Sequence, residues 1–200
     1  MAKKSGVWNL QQVRDKQLQS LWSYYIAPLE AHLYTWGRNE YHMGALGLND
    51  TDDRSSPVQI PGVWSSVANS TEGSTATKTD GTLWSWGDNS NGQTGLNETF
   101  SASKRSYSSP VQIPGTTWVM AKSSRDSVLA TKTDGTLWAW GSNSYSGPLG
   151  LNHRDDRSSP TQVPGTWGTS ELSICGYNYW TAGIKADGTL WTWGNNTFGQ

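Results

Sequence analysis

The residues best suited to acid–base or metal chemistry are three histidines, His32, His42 and His153. Glu30 and Glu40 stand two residues before His32 and His42, but no motif completes the ligand set that zinc requires. The one cysteine, Cys175, excludes an internal disulfide and a Cys-based zinc site. Ser, His and Asp occur without a nucleophile elbow. No glycine-rich loop leads from a strand into a helix, so no phosphate cradle is expected. Asp52-Asp53-Arg54 and Asp155-Asp156-Arg157 pair carboxylates, which suits either a calcium loop or a solvated turn. The adjacent Arg and the missing remainder of a calcium pattern favour the turn. The expectation is therefore a chain with no catalytic residue, no metal ligand and no cofactor. Its binding residues are left unassigned.

Composition narrows the class further. The 200 residues carry 15 Lys and Arg against 16 Asp and Glu, a formal charge of −1. That balance argues against nucleic acid as a partner, because phosphate neutralisation needs a clustered basic excess. Leu, Ile, Val and Phe together number only 31, or 15.5%, yet there are 13 Trp and 8 Tyr. The apolar surface is carried by large flat rings, which can fill a core that aliphatics do not supply. No run of 18 apolar residues exists, so no membrane insertion is expected. Met1-Ala2-Lys3-Lys4 is basic, but no apolar stretch follows, and no export signal is read there.

The elements that position these residues come from an internal repeat. Trp-Gly recurs at Trp36, Trp86, Trp140 and Trp193, spaced by 50, 54 and 53 residues. Lys78-Thr79-Asp80-Gly81-Thr82-Leu83-Trp84-Ser85-Trp86-Gly87 is matched at residues 132–141 and 185–194. A Pro-bracketed frame, Ser-Ser-Pro-x-Gln-x-Pro-Gly, follows at residues 55–62, 108–115 and 158–165. Thr-Asp-Gly between runs of Thr, Ala, Leu and Trp predicts a hairpin with Gly at positive φ. Residues 74–78 and 82–87 are its two strands. The Pro-bracketed segments belong on a sheet edge or outside. Trp84 and Trp86 share one strand face, with small residues on the other. The Trp pairs are read as packing between blades, each ring lying on a shallow neighbour such as Ser85/Gly87, Ala139/Gly141 or Thr192/Gly194. An aromatic ligand-binding ladder is the alternative. The class is all-β, with blades of about 50 residues.

At Asp80-Gly81-Thr82-Leu83-Trp84-Ser85-Trp86-Gly87-Asp88-Asn89-Ser90-Asn91-Gly92-Gln93-Thr94-Gly95-Leu96 the chain resembles the regulator of chromosome condensation repeat family. It departs there at Thr94, where the family usually has Leu. The third copy places Pro148 at the Gln93 position and adds one residue before Gly147. The first copy is looser, reaching Gly44-Ala45-Leu46-Gly47-Leu48 after residues 38–43. The resemblance covers residues 31–200 and implies a β-propeller, usually of seven blades. It does not specify function. Exchange-factor members act through long inserted loops, and none is seen here, nor any basic tail for chromatin. Light-sensing members carry Gly-Trp-Arg-His-Thr runs, and no Trp here is followed by Arg-His.

Residues 1–27 stand outside the repeat, and residues 28–200 form the propeller-repeat domain. Leu10, Val13, Leu18, Leu21 and Trp22 fall on about half of a helix circumference, with Gln12, Asp15, Lys16 and Gln19 opposite. Arg14 and Gln17 intrude, and Asn9 is a candidate cap. An amphipathic helix over residues 9–22 is expected, either covering a blade or acting as an assembly anchor. Residues 5–16 are similar to an N-terminal segment of tailed-phage virion and tail-fibre-like proteins. On that resemblance the leading expectation is a non-enzymatic virion structural or host-adhesion protein. Its partners would be other virion proteins or a host-surface ligand, and its location the virion, assembled in the host cytoplasm. The alternative is a cytoplasmic protein-interaction module or small-GTPase exchange-factor-like scaffold.

Copy four reaches only Phe198-Gly199-Gln200, leaving three repeats and a fraction. An oligomer or a longer chain is expected to complete the arc, since open blades expose strand edges and Trp faces. The hairpin reading gives a direct test. Gly135→Val should cost more than the ~1 kcal/mol of a harmless Gly replacement, and a melting curve matching the parent's would contradict the predicted turn.

Overall fold

Thirteen strands and no helix make up the described part of the computed structural model, which comprises residues 31–39, 44–98, 105–170 and 172–199. The predicted helix over residues 9–22 and the N-terminal segment lie outside these residues. So do His42, Glu30 and Glu40.

The strands assemble into four antiparallel sheets, one per repeat. Blade 1 holds β1 (Leu33–Gly37) and β2 (Arg54–Ile60). Blade 2 is a four-stranded meander of β3 (Trp64–Asn69), β4 (Gly73–Lys78), β5 (Leu83–Asp88) and β6 (Ser106–Ile113). Blade 3 repeats it with β7 (Trp118–Ser123), β8 (Ser127–Lys132), β9 (Leu137–Gly141) and β10 (Arg157–Val163). Blade 4 has β11 (Ile174–Tyr177), β12 (Trp180–Ile184) and β13 (Leu190–Gly194).

The hairpin reading holds. Thr79-Asp80-Gly81 joins β4 to β5, and Gly81, Gly135 and Gly188 have φ of 80°, 78° and 84°. Lys78 N donates to Thr82 O at 2.9 Å and closes the turn. The Pro-bracketed strands β2, β6 and β10 each pair on one side only, as edge strands whose prolines cannot donate to a further neighbour.

The core sits between blades. Leu83 and Ile113 of blade 2 pack with Trp118, Ala121, Val128, Ala130 and Trp140 of blade 3. Leu137, Ala139 and Val163 of blade 3 pack with Trp167 and Ile174 of blade 4 in the same way. Hydrogen bonds run along these junctions: Trp118 N donates to Gly81 O at 3.0 Å, and Trp167 N to Gly135 O at 2.8 Å.

The second Trp of each pair clasps the preceding blade. Trp86 Nε1 donates to Ala45 O at 2.9 Å, Trp140 Nε1 to Gln93 O at 2.9 Å, and Trp193 Nε1 to Pro148 O at 2.8 Å. Each ring lies against a glycine of that loop: Gly47, Gly95 or Gly150. These loop glycines are the shallow neighbours, not the expected Ser85/Gly87 set. Gly87 instead lets β4 and the turn before it approach β5, where a Cβ would strike the backbone of Glu72 and Gly73, and it adjoins a break in register between β5 and β6. Ser85 Oγ donates to Thr94 O at 2.9 Å.

Two glycines separate conformational strain from the clasp itself. Gly95 has φ 73°, and a Cβ there would lie 2.8 Å from Trp140 Nε1. Gly188 has φ 84° and open space around it. Gly188→Ala should cost about 1 kcal/mol, the backbone term alone. Gly95→Ala should cost at least about 2 kcal/mol more, because it also displaces a buried indole and its hydrogen bond. Equal denaturant midpoints for the two variants would remove the clasp as a source of stability.

Candidate interaction surface

In each full meander the β-turns alternate between two end faces. One face carries the Thr-Asp-Gly hairpins. The other carries the tight turns at residues 70–73, 124–127 and 177–180, together with the long loops that follow each Trp-Gly.

The hairpin face is built three times from the same parts. Asp80 Oδ1 accepts from Thr82 N at 2.9 Å and from Thr82 Oγ1 at 2.6 Å, and Thr82 Oγ1 accepts from Trp84 Nε1 at 2.8 Å. Asp134, Thr136 and Trp138 repeat this, as do Asp187, Thr189 and Trp191. The first Trp of each pair thus serves the surface, not the clasp. A lysine lies over it: Lys78 Nζ is 4.0 Å from the Trp84 ring centroid and 5.0 Å from that of Trp64. Lys132 sits between Trp118 and Trp138 at 4.5 and 4.4 Å, and Lys185 between Trp167 and Trp191 at 5.6 and 3.9 Å. These cation–π clamps satisfy each lysine within its own blade. The sequence displays the lysines in register, but their contact with Trp64, Trp118 and Trp167 depends on strand pairing.

The loop face is stapled by buried asparagines. Asn143 Oδ1 accepts from Leu149 N at 3.1 Å, while its Nδ2 donates to His153 O at 2.7 Å. Asn39 and Asn89 hold Leu46 N and Thr94 N in the equivalent loops. The paired carboxylates divide their roles. Asp52 and Asp155 are exposed, as a solvated turn requires. Asp53 and Asp156 accept from the backbone N of Asn39 and Asn143, each at 2.6 Å, and so belong to the loop's internal structure. His153 also works locally, accepting from Asp155 N at 3.2 Å with Nε2 2.9 Å from Arg157. His32 and Cys175 are exposed. Among the described residues no three His, Cys, Asp or Glu converge into a metal-binding group.

Aromatic rings mark this face between blades 3 and 4. Tyr145 stacks on Tyr179 with centroids 5.1 Å apart, and Arg125 Nη1 donates to Tyr179 Oη at 2.8 Å. Tyr145 and Tyr177 are 70% and 65% exposed. Beside them, burial holds the Asp126 carboxyl above the ordinary range. The Arg125 guanidinium opposes that shift, while the charges of Glu72 and Asp88 reinforce it. A groove of about 260 Å³ runs past Ser70, Thr71, Ser123, Arg125 and Tyr177. Sequence reasoning left the binding residues unassigned and missed this cluster. Tyr145 is the extra residue of copy three, and that insertion was its one visible sign.

Stacked meanders clasped by Trp into a preceding glycine loop define a β-propeller repeat protein. The chain belongs to the family described as the regulator of chromosome condensation (RCC1) repeat, whose models match residues 30–71, 80–130, 134–179 and 173–200. It is 30% identical over 173 residues to the ultraviolet-B receptor UVR8 of Arabidopsis thaliana, covering 84% of this chain and 38% of that one. It is 30% identical over 178 residues to the human E3 ubiquitin-protein ligase HERC2, covering 84% of this chain and 4% of that one. The chain therefore spans well under half the length of these relatives. Human WBSCR16 shares the fold with a TM-score of 0.68 and 22% identity, over 85% of this chain and 44% of that one. Yeast RCC1 (Prp20), solved bound to Kap60, does so at 0.63 and 18%, over 82% and 40%.

These likenesses correct the functional expectation. The relatives are proteins of plant, animal and yeast cells, and none is a phage structural protein. The virion and host-adhesion reading is overturned, and with it the virion partners. It rested on a short N-terminal match, whereas the propeller-repeat identity rests on most of the chain.

The hairpin aspartates give a pH prediction. The Thr82, Thr136 and Thr189 hydroxyls, then their backbone N–H groups, hold the Asp80, Asp134 and Asp187 carboxyls below the ordinary value of 3.8. A folded pKa below the unfolded one adds stability that is present above the unfolded value. That stability is lost as the pH falls through the lowered folded value. Replacing Thr82, Thr136 and Thr189 together by Val should flatten this acid limb in a melting series between about pH 5 and 2. An acid limb as steep as the parent's would show that these turns do not titrate as described.

Proposed function

We propose that this chain is a non-enzymatic protein-interaction module whose blades hold loops of differing sequence on one face. The observation that carries the reading is a division between constant and varied positions. The clasp, the clamp and the asparagine staple keep the same chemistry from copy to copy. The loop face instead carries Glu72, Asp126 or Tyr179 at one equivalent turn position. A scaffold under one packing constraint leaves its loops free to acquire recognition chemistry.

The relatives support the same reading. Yeast RCC1 was solved bound to Kap60, and the Saccharomyces cerevisiae Prp20p structure is described together with its binding to Gsp1p and histones. HERC2 is a far longer ligase, of which a segment like this one is a small part.

Immobilised at physiological salt, the protein should retain defined partners that soluble protein competes off in a saturable manner. A retained small GTPase whose labelled GDP is released faster in its presence would identify an exchange-factor-like scaffold. If no retained protein is displaced by the soluble chain, the interaction reading fails.

A further inference from the structure

We propose that the loop face between blades 3 and 4, centred on Tyr145, Tyr177 and Tyr179, docks a partner protein through a segment bearing arginine or lysine. This rests on the interaction-module reading and adds to it the surface and the chemistry of the partner.

The first argument is that the rings are displayed and not packed. Tyr145 and Tyr177 leave most of their area in water. Exposed tyrosines grouped on loops supply contact area at low entropic cost and are enriched where proteins meet. Tyr145 is also an insertion. Copy two places Ser90-Asn91 between its asparagine and the loop glycine, whereas copy three has Ser144-Tyr145-Ser146. The staple, the clasp and the blade core all form in copy two without a ring at this point, so the repeat itself does not call for one.

The second argument is charge. Arg125 is the cation of this cluster, and it is engaged from within. Its Nη1 donates to Tyr179 Oη, its Nε lies 3.6 Å from Asp126 Oδ2, and its guanidinium is 5.6 Å from the Tyr179 ring centroid. It props Tyr179 from one side while Tyr145 covers it from another. The Asp126 carboxyl feels the charges of both Glu72 and Asp88, and Asp88 and Asp126 together stand against the one guanidinium of Arg125. The group therefore carries more negative than positive charge, and its ring faces carry negative electrostatic potential as well. Both features attract a cation and disfavour an acidic segment.

The third argument is that the chain already uses this chemistry on itself. Lys78, Lys132 and Lys185 each lie between two indole rings. At Tyr145 and Tyr179 a comparable aromatic pair is present, with Arg125 over the Tyr179 ring and the Tyr145 ring largely in solvent. The adjoining groove is lined by Ser70, Thr71 and Asn178, whose side chains carry hydroxyl and amide oxygens. Such acceptors suit the donor fork of a guanidinium.

The test uses the whole chain and two fluorescein-labelled octapeptides. One carries three arginines among glycines and serines, and the other has glutamate at those positions. Anisotropy titrations at about 0.15 M salt, where long-range charge effects are screened, should show binding of the arginine peptide only. Tyr145→Ser with Tyr177→Ser should weaken that binding about tenfold, the scale of two exposed cation–π contacts. The melting point should stay at the parent value, because both rings stand in solvent. Equal affinity in parent and variant, preference for the glutamate peptide, or no binding of the arginine peptide overturns the proposal. Partners displaced by soluble chain in the capture experiment, alongside such a result, would leave the interaction module standing and remove only this surface.

Discussion

The arc depends on one contact made three times: an indole lying flat on a glycine of the preceding repeat while its N–H reaches a carbonyl of the same loop. Truncating a buried Trp of this kind costs about 3–5 kcal/mol, which is a large fraction of a domain's net stability. The contact also fixes geometry. The ring can approach only where there is no Cβ, and the hydrogen bond sets its rotation. Each blade is thereby placed on the one before it, and the aliphatic residues between them, such as Leu83, Ile113 and Leu137, are buried as a consequence. This accounts for a core made with so few Leu, Ile and Val.

The same contact explains which positions are free to vary. The acceptor is a backbone carbonyl, supplied by Ala45, Gln93 or Pro148. The side chain there is not part of the clasp, so an alanine, an amide and an imino ring serve equally. One residue further on, Leu46 and Leu149 are buried, and the departure at Thr94 is absorbed because its hydroxyl donates to Asn89 Oδ1 at 2.6 Å. A polar group can enter a buried site when a partner is already in place. Thr117 is another accommodated departure. It is the extra residue before Trp118, it takes φ 72°, and Thr133 N donates to its carbonyl.

Much of this was legible in the sequence because the repeat displays the same physical requirement several times. The hairpin glycines, the edge position of the Pro-bracketed strands and the packing between blades all follow from residue types at fixed spacing. The target of each clasping Trp was not legible. Gly47, Gly95 and Gly150 are about 40 residues away in sequence, and Gly87 was the nearer and misleading choice. The split roles of Asp52 and Asp53 were hidden for a related reason. Adjacent carboxylates look alike until the backbone shows that only the second meets the N–H of Asn39. Function was misread where a short N-terminal resemblance, outside the repeats, was given weight over the repeats themselves.

Departures from a repeat are therefore informative only after the fold has been asked to absorb them. Pro148 is absorbed by its carbonyl, Thr94 by its hydroxyl bond, and Thr117 by a left-handed backbone conformation just before β7. Tyr145 differs from these. It is added to a loop whose shape is already held by Asn143, Asp156 and Leu149, and most of its ring remains in solvent. Its neighbour Tyr179 stands where blades 2 and 3 carry Glu72 and Asp126, so the aromatic stack replaces a carboxylate within a face that stays acidic next door. An unabsorbed aromatic beside a retained acidic group gives a surface two complementary means of holding a cationic side chain. The clasp and the asparagine staple use neither the Tyr145 ring nor the Asp126 carboxylate, which is why the chemistry there reports on recognition and not on folding.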